Sequence, residues 1–205
     1  MTRIAVIDHG AGNLVSIAQG LERSGADVTV ADVPADLTGA EGVVLPGVGS
    51  TGIAMRRLRA SGFVAPLLEL DRPLLGICVG LQLFFESSDE DATDCLGLMR
   101  GTVEQLRGTP KLPHIGWNDL TFRRDDPLFA GVADDAPFYF VHSYAAVPVD
   151  EEVVVARAMY GEPFVAAARD GMRVGVQFHP ERSGPDGVRV LGNFVRECAE
   201  AADAA

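Results

Sequence analysis

Three short apolar runs, each unbroken and each leading into a glycine-containing turn, constrain this chain more than any other feature. Ile4-Ala5-Val6-Ile7, Gly42-Val43-Val44-Leu45 and Pro73 to Cys78 contain no charged or amide side chain. A strand points successive side chains to opposite faces, so a run that is apolar throughout must be covered on both. The stretches between them repeat at helical spacing. Leu14, Ile17, Ala18 and Leu21 form one apolar stripe, with Gly25 placed to end the helix, and Ala54 to Leu70 is largely helical with a break at Gly62. With strands at Arg3 to Asp8 and Asp27 to Ala31, and another helix starting over Leu81 to Glu86, the alternation predicts an α/β fold. Its expected form is a mostly parallel central sheet with helices on both faces.

The second half changes character. Val103 to Leu106, Leu120 to Phe122, Phe138 to Val141, Val153 to Ala158, Phe164 to Ala168 and Val174 to Phe178 read as strands with few helices between them, which predicts an antiparallel extension. A last helix repeats Val188, Leu191, Val195 and Cys198 on one face, placing Cys198 in packing. The acidic stretch Glu86 to Asp94 reads as a solvated loop. No repeat or long linker divides the chain, so residues 1–205 are expected to form one domain; at 205 residues and 47% hydrophobic content it needs no metal or disulfide staple.

Seventeen basic against 29 acidic side chains leave a net charge of −12, a field that repels nucleic acid and anionic membranes alike. The three cysteines, Cys78, Cys95 and Cys198, make neither a disulfide framework nor a CxxC site, and the four histidines show no metal-ligand spacing. The first apolar run meets Asp8 too soon for a signal sequence, and the longest, Pro73 to Phe85, is interrupted by Gln82. A cytoplasmic protein without metal or cofactor is expected. Gly10-Ala11-Gly12 starts like a dinucleotide fingerprint, but Val15 fills the slot that needs a small residue, and no phosphate-binding P-loop is present.

Gly76-Ile77-Cys78-Val79-Gly80 follows a strand and opens a helix, the setting of a nucleophile elbow. A lone cysteine is more often a small core residue, but this context favours a reactive one, with its sulfur at a positive helix end. His179-Pro180-Glu181 closes another apolar strand, where parallel sheets present their sites, and Glu181 can hold the imidazole that serves as base. The Pro46-Gly47-Val48-Gly49 turn can offer backbone N–H groups to an oxyanion, with the Val79 N–H as second donor, although an ordinary strand-to-helix turn would read the same. His142-Ser143-Tyr144 ends a further strand with three polar side chains.

These segments together carry a resemblance. Gly76-Ile77-Cys78-Val79-Gly80-Leu81-Gln82 with His179-Pro180-Glu181 resembles the signature of the class I (triad) glutamine amidotransferases, which have a flavodoxin-like fold. Within that family, Asp8-His9-Gly10-Ala11-Gly12-Asn13-Leu14, Pro46-Gly47-Val48-Gly49 and Pro113-His114-Ile115-Gly116-Trp117-Asn118 resemble the glutaminase subunits of imidazole glycerol phosphate synthases. The resemblance runs from residue 4 to about residue 195. It implies that Cys78 attacks the side-chain amide of glutamine, His179 shuttles the proton and Glu181 orients His179. Gly47, Gly49, Gln82, His142, Ser143 and Tyr144 would hold the substrate, and Gly47, Val48 and Val79 would form the oxyanion hole. It also implies a heterodimer with a cyclase subunit, which uses the ammonia to form imidazole glycerol phosphate and aminoimidazole carboxamide ribotide in histidine synthesis.

Departures from the family pattern are small: Val79 and Leu81 for Leu and Met or His, His9 for a frequent Tyr, and Arg182 where Lys is common. Another glutaminase subunit of the class, such as that of pyridoxal phosphate synthase, fits the segment around Trp117 less well. A catalytically silent binding module is opposed by the intact Cys78, His179 and Glu181, and a cysteine protease by the lack of an extended peptide-binding signal.

Overall fold

The computed structural model describes residues 1–10, 12–108 and 111–204; Ala11, in the first glycine-rich turn, lies outside them. The elements in order are β1 (Thr2–Ile7), α1 (Leu14–Arg23), β2 (Ala26–Ala31), β3 (Gly42–Leu45), α2 (Thr51–Ala60), α3 (Val64–Leu68), β4 (Leu74–Ile77) and α4 (Val79–Gln82). There follow β5 (Ser87–Ser88), β6 (Thr93–Asp94), β7 (Gly101–Gln105), β8 (His114–Asp119), β9 (Thr121–Phe122), β10 (Pro137–His142) and β11 (Tyr144–Pro148). The chain ends with β12 (Val154–Tyr160), β13 (Glu162–Asp170), β14 (Arg173–Val176) and α5 (Gly184–Asp203).

An eight-stranded sheet in the order β2-β1-β3-β4-β14-β13-β12-β9 organises the molecule. Its first five strands are parallel and the last three antiparallel, which is the expected core and extension. Ile4 to Ile7 and Val43 to Leu45 are each at most 1% exposed, so both sheet faces are covered. On one side α1 packs against α5, and Cys198 is fully buried there, as the helical stripe requires. Two smaller sheets flank this core, β11-β7-β5-β6 and the antiparallel pair β10-β8. Among the described residues no helix is long and apolar enough to cross a membrane.

Three expectations are corrected. The helix expected over Leu81 to Glu86 is the single turn Val79–Gln82, because the Glu86 backbone donates to Gly101 at 3.0 Å and accepts from Cys95 at 3.0 Å to start the second sheet. The acidic stretch is not merely a solvated loop. It forms β5, a turn and β6, folded so that Glu90 accepts from the Thr51 N–H at 2.9 Å and Asp91 from the Ser50 hydroxyl at 2.7 Å. Both carboxylates thus sit at the N-terminus of α2, where the helix field favours them. The strand expected at Leu120 to Phe122 is only the short β9, and the longer β8 precedes it.

The topology brings three chain ends together. β4 lies between β3 and β14, with Ile77 paired to Val176, so the residues after β3, β4 and β14 emerge at one edge of the sheet. Those residues begin at Pro46, Cys78 and Gln177.

Candidate active site

Cys78 occupies the turn between β4 and α4 with φ 55° and ψ −108°, a conformation that side-chain-bearing residues rarely adopt. Such a residue costs about 1–3 kcal/mol and persists only where the surroundings enforce it. Two contacts do so here. The Cys78 N–H donates to the Val176 carbonyl at 2.8 Å, and Gly80 lies so close to the Leu45 carbonyl that a Cβ would overlap it. Cys78 is 3% exposed, and its sulfur reaches the Val141 carbonyl at 3.9 Å. Because α4 has four residues, the helix field expected behind the sulfur is that of one turn.

His179 follows β14 and is anchored from another sheet: its N–H donates to the Tyr139 carbonyl of β10 at 2.9 Å. Its Nδ1 is 2.9 Å from Glu181 Oε1, and both side chains are buried. Nδ1–H therefore donates to the carboxylate, which leaves Nε2 as the ring's second nitrogen. Burial by itself would lower the histidine's pKa, but the charge of the nearby Cys78 sulfur, followed by the charge and hydrogen bond of Glu181, outweighs it and raises the value to about 10. His179 Nε2 and Glu181 Oε2 are buried and have no hydrogen-bond partner among the described residues.

A cavity of about 110 Å³ opens between these groups. Of the residues expected from the sequence, it is lined by Cys78, His179, Val48, Gly49, Gln82, His142, Ser143 and Tyr144. Gly47, Val79 and Glu181 stand behind this wall. A Cβ on Gly47 would come within 2.8 Å of the Val79 Cβ, so the two expected oxyanion loops are in direct contact. The turn is held from below by His9, whose Nε2–H donates to the Pro46 carbonyl at 2.6 Å. Gln82 is 2% exposed and its amide nitrogen is occupied by the Tyr144 carbonyl at 2.9 Å and Gln177 Oε1 at 3.1 Å. His142 donates from Nδ1 to the Tyr144 carbonyl at 2.9 Å and stands 3.1 Å from His114. Burial pushes His142 down to about 4, against the opposing effect of the Tyr144 bond.

Besides Val141, whose carbonyl faces the sulfur, two polar side chains of the site were not anticipated. Glu90 lines the cavity wall, and burial raises its pKa while the Thr51 N–H opposes this. Its only sequence signal was membership of an acidic run. Gln177, two residues before His179, is fully buried and directs its amide at the Cys78 sulfur. A larger groove of about 360 Å³ lies elsewhere, beside β7 and β11, but its Arg107 and Arg157 are paired with Glu104 and Glu151. The residues expected from the sequence line the smaller cavity instead. No group of three or more metal-ligating side chains occurs among the described residues.

Beside the site lies an exposed apolar patch. Ile115 and Trp117 on β8 and Met159 on β12 are 61%, 54% and 59% exposed. Trp117 meets Tyr139 edge-on at 5.7 Å, and Arg182 lies 5.0 Å over the Tyr139 ring. Tyr139 is the residue whose carbonyl anchors His179, so this patch adjoins the cavity.

The pattern of the glutamine amidotransferase class-I family matches residues 5–198. The chain is 49% identical over 199 residues to imidazole glycerol phosphate synthase subunit HisH of Xanthomonas axonopodis pv. citri, covering 95% of this chain and 98% of that one. It is 46% identical over 210 residues to the subunit of the same name from Synechococcus sp. (strain JA-3-3Ab), covering 99% and 97%. Among solved structures, PurLQS from Thermotoga maritima superposes with a TM-score of 0.73 at 21% identity, covering 95% of this chain and 97% of that chain, a likeness of fold.

Proposed function

This chain belongs to the class-I glutamine amidotransferase family, and from that premise we propose that it is the glutaminase subunit of an imidazole glycerol phosphate synthase. The observation that carries the reading is identity near one half with such subunits across almost the full length of both chains. The residues at the cavity support the chemistry that follows.

In this reading Cys78 is the nucleophile, His179 the general acid and base, and Glu181 the group that holds the imidazole. The Cys78 thiolate attacks the side-chain carbonyl carbon of glutamine, and the carbonyl oxygen takes the charge toward the Gly47, Val48 and Val79 amides. The C–N bond breaks as His179 protonates the leaving nitrogen from Nε2, releasing ammonia and leaving a thioester on Cys78. Water, deprotonated by His179, then attacks the thioester, and glutamate departs as the sulfur returns to a thiolate. A histidine raised to about 10 by its neighbours starts the cycle protonated, as the acid step requires. The residues Gly49, Gln82, His142, Ser143 and Tyr144 enclose the substrate, and the Glu90 carboxylate offers the charge complement of an amino acid's ammonium group. No step needs a metal or cofactor.

The partner is a cyclase subunit, forming a heterodimer and taking up the ammonia to make imidazole glycerol phosphate and aminoimidazole carboxamide ribotide. Ile115, Trp117 and Met159 supply an apolar surface for it, rimmed by Arg182 and adjoining the residues that hold His179. Docking there can act on the site because β10 carries both Tyr139, on the patch, and His142, in the cavity wall. The test is glutamate release by the chain alone, with the cyclase subunit, and with that subunit plus its ribonucleotide ligand. The expected order is lowest alone and highest with both, by about 10²-fold or more, the scale of one oxyanion-hole donor. Equal kcat in the three conditions contradicts the reading.

A further inference from the structure

Gln177 is a primary amide with no exposed surface, immediately after an apolar strand. A buried amide needs partners for its N–H groups and its oxygen, and leaving them unmade is costly. Gln177 Oε1 accepts from Gln82 Nε2 at 3.1 Å. Gln177 Nε2 has one partner among the described residues, the Cys78 sulfur at 3.6 Å.

The orientation of this amide follows from a backbone atom rather than from a choice of assignment. Gln82 Nε2 also donates to the Tyr144 carbonyl at 2.9 Å, and a carbonyl can only accept. That bond fixes which end of the Gln82 amide is nitrogen. The same nitrogen then requires an acceptor on Gln177, so Gln177 must turn its oxygen to Gln82 and its N–H to the sulfur. A thiol is a weak acceptor and a thiolate a strong one, so a donor held there favours the ionised form. Cys78, Gln82 and Gln177 are 3%, 2% and 0% exposed, and in such surroundings the preference is not dissipated by water.

We propose that Gln177 is a catalytic residue that donates its amide N–H to the Cys78 thiolate, and that Gln82 is the positioning residue that sets the direction of that amide. Gln82 thereby gains a role distinct from substrate holding. The proposal rests on Cys78 being the nucleophile of the proposed function. The titratable groups facing Cys78 are His179, backed by Glu181, with His142, Tyr144 and Glu90 on the cavity wall, and none of them is itself altered by a substitution at Gln177.

The experiment is the pH dependence of Cys78 alkylation by iodoacetamide, followed by mass spectrometry of the Cys78 peptide so that Cys95 and Cys198 do not interfere. Gln177→Glu preserves the shape and the Gln82 bond but turns an acceptor toward the sulfur; Gln177→Met removes the donor. Relative to the unaltered chain, the alkylation midpoint should rise by about one pH unit in Gln177→Met and by more in Gln177→Glu. A wild-type midpoint in either variant, once its melting curve shows it folded, overturns the proposal. A second measurement needs no variant: the side-chain ¹⁵N resonance of Gln177 should titrate with the alkylation midpoint, and a resonance that stays flat through it also overturns the proposal. Alkylation needs neither glutamine nor the cyclase. Failure here therefore leaves the proposed function standing, and loss of that function leaves the thiol measurement interpretable.

Discussion

His9 places a titratable ring beneath the turn that faces the sulfur. It is 4% exposed, its Nε2–H donates to the Pro46 carbonyl, and its buried Nδ1 has no partner among the described residues. Burial lowers its pKa, the Pro46 bond opposes that, and the Arg57 charge adds to the lowering. The unfolded chain therefore takes up a proton near the ordinary histidine value while the folded chain does not, so stability is lost as pH falls below that value toward the lowered one. His114 and His142 act with the same sign, while His179, raised by its neighbours, opposes them by gaining stability as pH falls toward the ordinary histidine value, so three lowered rings outweigh one raised ring. We predict that the urea midpoint falls between about pH 7.5 and about pH 5, and that His9→Gln, which keeps an N–H for Pro46 but cannot titrate, falls less steeply. Parallel slopes for the two proteins would remove His9 from this account.

The elbow shows how two elements enforce one residue's geometry. Gly80 opens α4 directly against the end of β3, and a methyl group there would overlap the Leu45 carbonyl. Neither partner can yield without separating β3 from β4 in the middle of the parallel sheet. Gly80→Ala should therefore destabilise the fold by about 3 kcal/mol or more, read from urea denaturation; a loss below about 0.5 kcal/mol would show that the helix shifts freely. Elements with strong periodicity were legible in the sequence. β1, α1, β3 and β4 lie within a residue or two of the patterns that announced them, because both faces of each strand are buried and apolar. β8 was not, because one edge of it is the exposed patch: Ile115 and Trp117 point outward while His114 points inward, which inverts the usual pattern. β11 was hidden because it follows β10 after the single residue Ser143 and is buried only in part, and β5 and β6 by their two-residue length in an acidic run. Their pairing partners are distant in sequence, and nothing local specifies them. For the same reason Cys78, His179 and Glu181 could be singled out by motif, whereas Glu90 and Gln177 acquire meaning only once α2, β4 and β14 are assembled.

At the scale of the molecule, the parallel core delivers three turns to one edge and the antiparallel extension closes the cavity over them. His142 and Tyr144 come from strands of the two smaller sheets, so the site is a junction of all three sheets. The apolar patch on β8 and β12 lies next to that junction, and in the proposed reading it gives a docked partner a short route to Cys78. In this account the chain only releases ammonia, and its partner uses it. The most direct measurement uses the complex with the cyclase subunit and compares product formation from glutamine with product formation from free ammonium, before and after Cys78→Ala. The account predicts that glutamine-dependent synthesis falls by about 10⁴-fold or more while ammonium-dependent synthesis stays within about twofold. Glutamine-dependent turnover that survives the substitution, in a complex that still assembles, would contradict it.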